Sequence, residues 1–273
     1  MSVQKTARER VRAEMIAEIK AVARDQVATA GAAALSLRAI ARELGMVSSA
    51  IYRYFPSRDD LLTALIIDSY DALGATVERT DAMAVTDDHT GRWVQACRAI
   101  RAWAVDNPHE YALLYGSPVP GYLAPQATVP AATRVTAVLA GIVRDAVAAG
   151  ALARPPDPVP LPDPVPPPDP DPPRNPDRPG SPDPLALPAS MATDATQLRD
   201  ALMPGVPDDL VVRSLLAWMA VFGMVSFELF GHLNNVISDY AEAFDHQVRQ
   251  LAAFVGLSRS APVHELDSSG VNA

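Results

Sequence analysis

Apolar residues at Val11, Met15, Ile19, Val22 and Val27 recur every three to five positions, with Arg, Glu and Lys between them. That is the period of an amphipathic helix, and Gly31 predicts its stop. A shorter helix is predicted over 37–44, N-capped by Ser36 and ended by a left-handed Gly45. A third starts at Ser48 or Ser49 and ends before Pro56. Ser57 then caps a fourth, whose first turn places Asp59 and Asp60 at the positive end of the helix dipole and which runs through Leu61, Leu65 and Tyr70 towards Val77.

Helical spacing returns at Trp93, Cys97, Ile100 and Ala104 within 87–106, and Asn107-Pro108 breaks it before a short helix ending near Gly116. Another helix is predicted over 130–149. The composition then shifts: the 34 residues 155–188 contain 17 prolines and six aspartates, the makeup of an extended, solvated spacer. Its PxxP spacings could also dock an aromatic groove. Order resumes near Pro207 with a helix apolar nearly all round to about Gly231, and a final helix spans 239–255. No useful stretch alternates with period two, so the expected fold is all-α.

With 49% hydrophobic residues in a chain of 273, there is material for one large or two modest cores, and global disorder is excluded. The charge-free run 214–227 falls short of the ~18 to 20 residues that span a bilayer, so it reads as a buried core helix and no membrane partner is expected. The N-terminal Lys5, Arg8, Glu9, Arg10 and Arg12 leave no room for the apolar core of a signal peptide, which predicts a cytoplasmic protein. The single cysteine, Cys97, fits a reducing compartment and reads as a buried small hydrophobe. The five histidines are scattered without ligand spacing, and no nucleophile elbow, phosphate-cradling glycine loop or carboxylate pair occurs. No metal site, cofactor or catalytic residue is therefore expected. Net charge is −9, which argues against nucleic acid until its distribution is considered: residues 1–70 hold ten Lys or Arg against eight Asp or Glu, and the remainder 13 against 24. Only the first quarter is suited to meet phosphate.

Within that quarter, Ser36-Leu37-Arg38-Ala39-Ile40-Ala41-Arg42-Glu43-Leu44-Gly45 followed by Met46-Val47-Ser48-Ser49-Ala50-Ile51-Tyr52-Arg53-Tyr54-Phe55 meets the needs of two short helices crossing steeply. Ala41 is small at the contact, Gly45 sits in the turn, and Ile40, Leu44, Met46 and Ile51 face inward. Ser48, Ser49, Ala50, Tyr52 and Arg53 are then left outward, types able to approach base edges and phosphates in a major groove. The same geometry also occurs as plain packing in helical bundles. A helical small-molecule-binding or adaptor protein without operator binding is the rival reading.

The extension Tyr52-Arg53-Tyr54-Phe55-Pro56-Ser57-Arg58-Asp59-Asp60-Leu61-Leu62 resembles the TetR family of bacterial repressors, whose recognition helix ends in Tyr-x-His-Phe before a turn and a basic residue. The resemblance implies that Ser36, Tyr52 and Arg58 bind phosphate and that Arg38, Ser48 and Ser49 face bases. Tyr54 stands where histidine is common, and its phenol can still donate to phosphate. Trp218-Met219-Ala220-Val221-Phe222-Gly223 is similar to the Trp-x-x-x-His-Gly signature of one C-terminal domain of that family, with Phe222 in place of the histidine.

The implied protein is a DNA-binding transcriptional regulator, in expectation a ligand-responsive repressor that binds a palindromic operator on double-stranded DNA as a homodimer. Residues 1–58 would form the helix-turn-helix domain. Residues 59–152 and 189–258 would form the bundle that binds ligand and dimerises, interrupted by a disordered insertion at 153–188 and followed by a flexible tail at 259–273. Trp103, Tyr111, Tyr115, Met219 and Phe222 are the expected lining for an unidentified small-molecule effector. Ala217, Ala220 and Gly223, small enough for close helix approach, are the expected dimer contact.

Overall fold

The computed structural model describes residues 6–153 and 187–257, and all of its regular structure is helical. The expected disordered insertion lies outside the described residues except at its edges, as does the expected tail.

Helix α1 (Ala7–Ala30) opens on a capping box: Thr6 Oγ1 accepts from the Glu9 N–H, and the Glu9 carboxylate accepts from the Thr6 N–H. Helices α2 (Leu37–Glu43) and α3 (Ser48–Ile51) follow, then α4 (Arg58–Ala82), whose first turn is held by Ser57. Ser57 Oγ accepts from the Asp60 N–H at 3.1 Å. The next helices are α5 (His89–Asp106) and α6 (Pro108–Tyr115), with Pro108 in the first turn, where a missing N–H costs nothing.

Two differences from the expected elements follow. The helix predicted over 130–149 is broken at Thr133 into α7 (Val129–Ala132) and α8 (Arg134–Ala148). Helix α9 (Ala189–Leu202) precedes the point at which order was expected to resume, and Ala195, Met203 and Val206 are buried there. The chain ends in α10 (Asp208–Leu229) and α11 (Tyr240–Val255).

Buried side chains form two clusters. The first joins Ile19, Ala23 and Val27 of α1 to Leu35, Leu37, Ile40, Ala41, Ile51 and Phe55, and takes Leu61, Leu62, Leu65 and Ile66 from the start of α4. The second runs from Leu73 and Val77 of α4 through α5, α8, α10 and α11. A boundary at 58/59 would cut α4 from the core that its first two turns fill. The helix belongs to both clusters, so it is a rigid strut between head and bundle. Charge pairs brace its middle and second half: Asp68 accepts from Lys20 Nζ and Arg24 Nη2 at 2.8 Å each, and Arg134 of α8 grips Glu78 and Asp71. Helices α5 and α10 are fastened by Arg101, which pairs with Glu228 at 2.5 and 2.7 Å.

Candidate nucleic-acid interface

The turn between α2 and α3 depends on Gly45, whose φ of +66° would strain a residue bearing a Cβ. It lets the Met46 N–H reach the Ala41 carbonyl at 2.8 Å. Ile40, Ala41 and Ile51 are fully buried at the crossing, so both helices are anchored from beneath. The outer surface is then fixed by elimination: Arg38, Ser48, Ser49, Tyr52 and Arg53 are exposed, and Ser36, Ala50, Tyr54 and Arg58 are half-buried around them.

No carboxylate occurs from Leu44 to Arg58. The surface of α3 therefore offers hydroxyls, a phenol and a guanidinium without an acid to repel phosphate. Arg38 is exposed in the first turn of α2.

Local bonds refine the expected roles. Ser36 Oγ accepts from the Ala39 N–H at 3.4 Å as the N-cap of α2, and its own N–H donates to Gln26 Oε1 at 3.2 Å, so the hydroxyl proton remains to be offered. Arg58 is occupied: its guanidinium donates to the Ala32 and Ala33 carbonyls at 2.9 and 3.3 Å and pairs with Asp59 at 3.2 Å. It ties the start of α4 to the turn after α1, which puts a structural duty on a residue expected to serve phosphate alone. Arg12 has a place that spacing did not single out. Its Nη2 donates to the Arg53 carbonyl at 3.2 Å, and its guanidinium lies 5.2 Å from the centre of the Tyr54 ring, clamping the end of α3 from α1.

The bundle places the five expected pocket residues in different surroundings. Trp103 is in the packed core. Tyr111 is fully buried and donates to the Phe222 carbonyl, with Ser226 Oγ 3.0 Å away; burial pushes its phenol up to about 12. Tyr115 packs between Tyr111 and Phe222 at centroid separations of 4.9 and 4.6 Å. These rings pack on one another within the bundle core. Met219 is 46% exposed on the outer side of α10.

An apolar cavity of about 230 Å³ lies instead among α5, α8, α9 and α10, walled by Trp93, Leu139, Leu198, Leu202, Val211 and Trp218, with Thr136 and Ser214 as its hydroxyls. It sits one turn from Phe222 along α10, beside Trp218.

The three residues expected at the dimer contact divide between two sides of α10. Ala217 is fully buried in its own protomer, on the inward face with Val221 and Val225, and cannot reach a second chain. Ala220 and Gly223 are half-buried on the other side, in a groove with Phe227, Leu251 and Phe254. Leu216 and Phe227, 48% and 52% exposed, extend this face along α10.

A buried two-helix crossing that holds α3 outward, free of acid and mounted on a helical body, defines a helix-turn-helix DNA-binding regulator. Comparison with known proteins gives the family. Residues 19–65 match the model of bacterial regulatory proteins of the tetR family, and residues 93–251 match the tetracyclin repressor-like C-terminal domain. The chain is 38% identical over 245 residues to the HTH-type transcriptional regulators Rv1816 of Mycobacterium tuberculosis and Mb1846 of Mycobacterium bovis, covering 89% of this chain and 92% of theirs. Its fold is similar to that of the regulatory protein SCO4313, with a TM-score of 0.66 at 31% identity over 90% of this chain and 98% of that one. It is also similar to that of a Rhodococcus sp. RHA1 protein of unknown function, with a TM-score of 0.59 at 20% identity over 87% and 93%. The chain belongs to the TetR family: it is a DNA-binding regulator of transcription and not an enzyme.

Proposed function

We propose that the protein is a ligand-responsive repressor, working in the cytoplasm on a palindromic operator as a homodimer. The observation that carries the operator reading is the acid-free outer surface of α3 together with the exposed Arg38 on α2. In this reading Arg38, Ser48 and Ser49 address base edges, while Ser36, Tyr52, Arg53 and Tyr54 address phosphates. One head holds a near-balanced set of charges, so affinity depends on two heads engaging two half-sites at once.

The uncovered apolar face of α10 and α11 supports a second copy as its occupant. Helix α10 is long and apolar enough to cross a membrane, yet only 33% of its most apolar window is buried in the protomer. Leu216, Met219 and Phe227 are exposed along it, with Ala220 and Gly223 half-buried between them. An isologous pairing of α10 and α11 with their copies covers this face on both chains. A small molecule bound in the bundle then lowers operator affinity by favouring a separation of the heads that fits the half-sites less well.

The test is selection of bound duplexes from a random library, followed by a mobility shift. The expected product is an inverted repeat bound by two chains. Recovery of no sequence preference, or of a single half-site bound by one chain, overturns the reading.

A further inference from the structure

Three of the four helices that build the head begin on a side-chain cap: Thr6 for α1, Ser36 for α2 and Ser57 for α4. The other, α3, begins on Val47, whose carbonyl accepts the first helical bond from the Ala50 N–H at 2.8 Å and whose side chain caps nothing. Valine is among the poorest choices for that place, since it leaves an N-terminal N–H without the oxygen that Ser, Thr, Asn or Asp supplies. Helix α3 has four residues, too few to be held by propagation of its own bonds, so a missing cap weighs on it.

Packing gives no reason for the valine. Val47 is 75% exposed and has no part in the core of the head. Charge does not account for it either: an aspartate here would repel phosphate, but serine, threonine and asparagine are neutral and would cap the helix. A position where stability and solvation both favour a hydroxyl therefore carries two bare methyl groups. They stand next to the exposed Ser48 and Ser49, at the end of α3 that addresses base edges in the operator reading above.

The chemistry of the major groove says what those methyls would meet. Base edges there present hydrogen-bond donors and acceptors, and one apolar group, the C5-methyl of thymine. We propose that Val47 is a specificity residue that packs its methyl groups on a thymine C5-methyl, one in each half-site. This rests on the reading that α3 enters the major groove, and it adds the base, and the group on that base, that are recognised. The contact takes apolar surface of both partners out of water, and cytosine and the purines offer no methyl to replace it.

Selection with the full chain from a random duplex library supplies the probe. Each thymine of the recovered sequence is then replaced in turn by uracil, which keeps every hydrogen-bonding group and lacks the methyl. At one thymine per half-site the replacement is expected to weaken binding roughly fourfold, the worth of one buried methyl group. Val47→Ser, which supplies the missing cap, should melt higher than the parent and yet bind the thymine and uracil duplexes alike. Val47→Ala should lose most of the same difference without the gain in stability. The uracil scan of the parent stands as a test even where a variant fails to fold. A preferred sequence in which no thymine methyl matters, or a methyl effect that survives both substitutions at full size, overturns the assignment and leaves the operator reading intact. Recovery of no preferred sequence overturns both.

Discussion

Gly223→Leu separates a free surface from a dimer contact by the sign of its effect. In the protomer, a Cβ built at Gly223 meets no atom within 4 Å, and the residue lies in the interior of α10, 15 positions into a helix of 22. Replacing a helical glycine by a good helix former stabilises by about 0.8 kcal/mol where nothing obstructs the new side chain. A free surface therefore predicts a more stable protein. If a second copy packs its own α10 or α11 against this position, the added carbons overfill a close contact at about 1 to 3 kcal/mol per site. Two sites per dimer make that about 2 to 6 kcal/mol, a rise in dissociation constant from about 30-fold to more than 10⁴-fold. Sedimentation velocity over a concentration series reads the mass directly, against 29.0 kDa for one chain. The expected outcome is a parent at twice that mass and a variant that shifts towards the single-chain value while its helical content is retained. A variant that stays dimeric and melts higher than the parent refutes the placement of Gly223 at the contact. Ala217→Leu serves as the contrast, since Ala217 is fully buried within the protomer and overfilling there destabilises the chain whether or not it pairs.

Arg38→Ala should cost about 1 to 3 kcal/mol of operator binding and relax preference at one position per half-site, whereas Tyr52→Phe should weaken all duplexes alike; competition binding against point-varied operators distinguishes the two patterns. Arg58→Met should lower stability by about 1 to 2 kcal/mol, because it removes charge-assisted bonds to the Ala32 and Ala33 carbonyls at a site still 30% exposed. An unchanged denaturation midpoint for Arg58→Met would show that the brace is idle. The Glu78 carboxyl, hydrogen-bonded by Arg134, and the Asp245 carboxyl, hydrogen-bonded by Arg98, are both held below their ordinary values. Their stabilising effect is thus complete at neutral pH and is lost as pH falls through those depressed values. Glu78→Gln should flatten the acid limb of a melting-temperature profile, and an unchanged limb would remove Arg134 as its cause.

What could be read from the sequence was local, and what could not was relational. Ser36, Gly45 and Ser57 mark helix ends through bonds within a few residues of themselves, and all three take those positions. Helix α9 went unread because its Ser, Thr and Asp hide a sparse apolar side: Ala195, Leu198 and Leu202 acquire meaning only from the α8 and α10 surfaces they cover. In α10 the pattern failed for the opposite reason. With apolar residues on every side, periodicity could not say that Ala217 turns inward while Ala220 and Gly223 turn out, since no polar stripe marks the outer face. The cavity was invisible for a related reason: a void belongs to no residue and exists only once four helices are placed. Arg12 escaped because its partners, the Arg53 carbonyl and the Tyr54 ring, lie about 40 positions away.

The two cores constrain how any signal from the bundle could reach DNA. A ligand moves a conformational equilibrium only by the difference in its affinity for the two states, so the head must sense a change in shape that the ligand favours. Two elements carry residues of both cores: α4, through Ile66 on one side and Leu73 on the other, and α6, whose Leu114 packs against each. They also touch one another by an edge-to-face pair of Tyr70 and Tyr115, 6.1 Å between centroids. Tyr115 lies against Phe222, and Phe222 against Trp218 at 5.1 Å, so four rings run without a gap from the cavity wall to the strut. Close-packed interiors pass strain along instead of absorbing it. Under the ligand-responsive reading proposed above, this chain of rings is a connection from Trp218 to the head, meeting α4 at Tyr70, one helical turn beyond Ile66. A tilt of α4 there carries with it Ser57, Arg58 and the end of α3 they adjoin. Arg134 holds α4 immediately beyond Tyr70, at Asp71, and again two turns on at Glu78, so the ring chain meets the helix at the border of its anchored half.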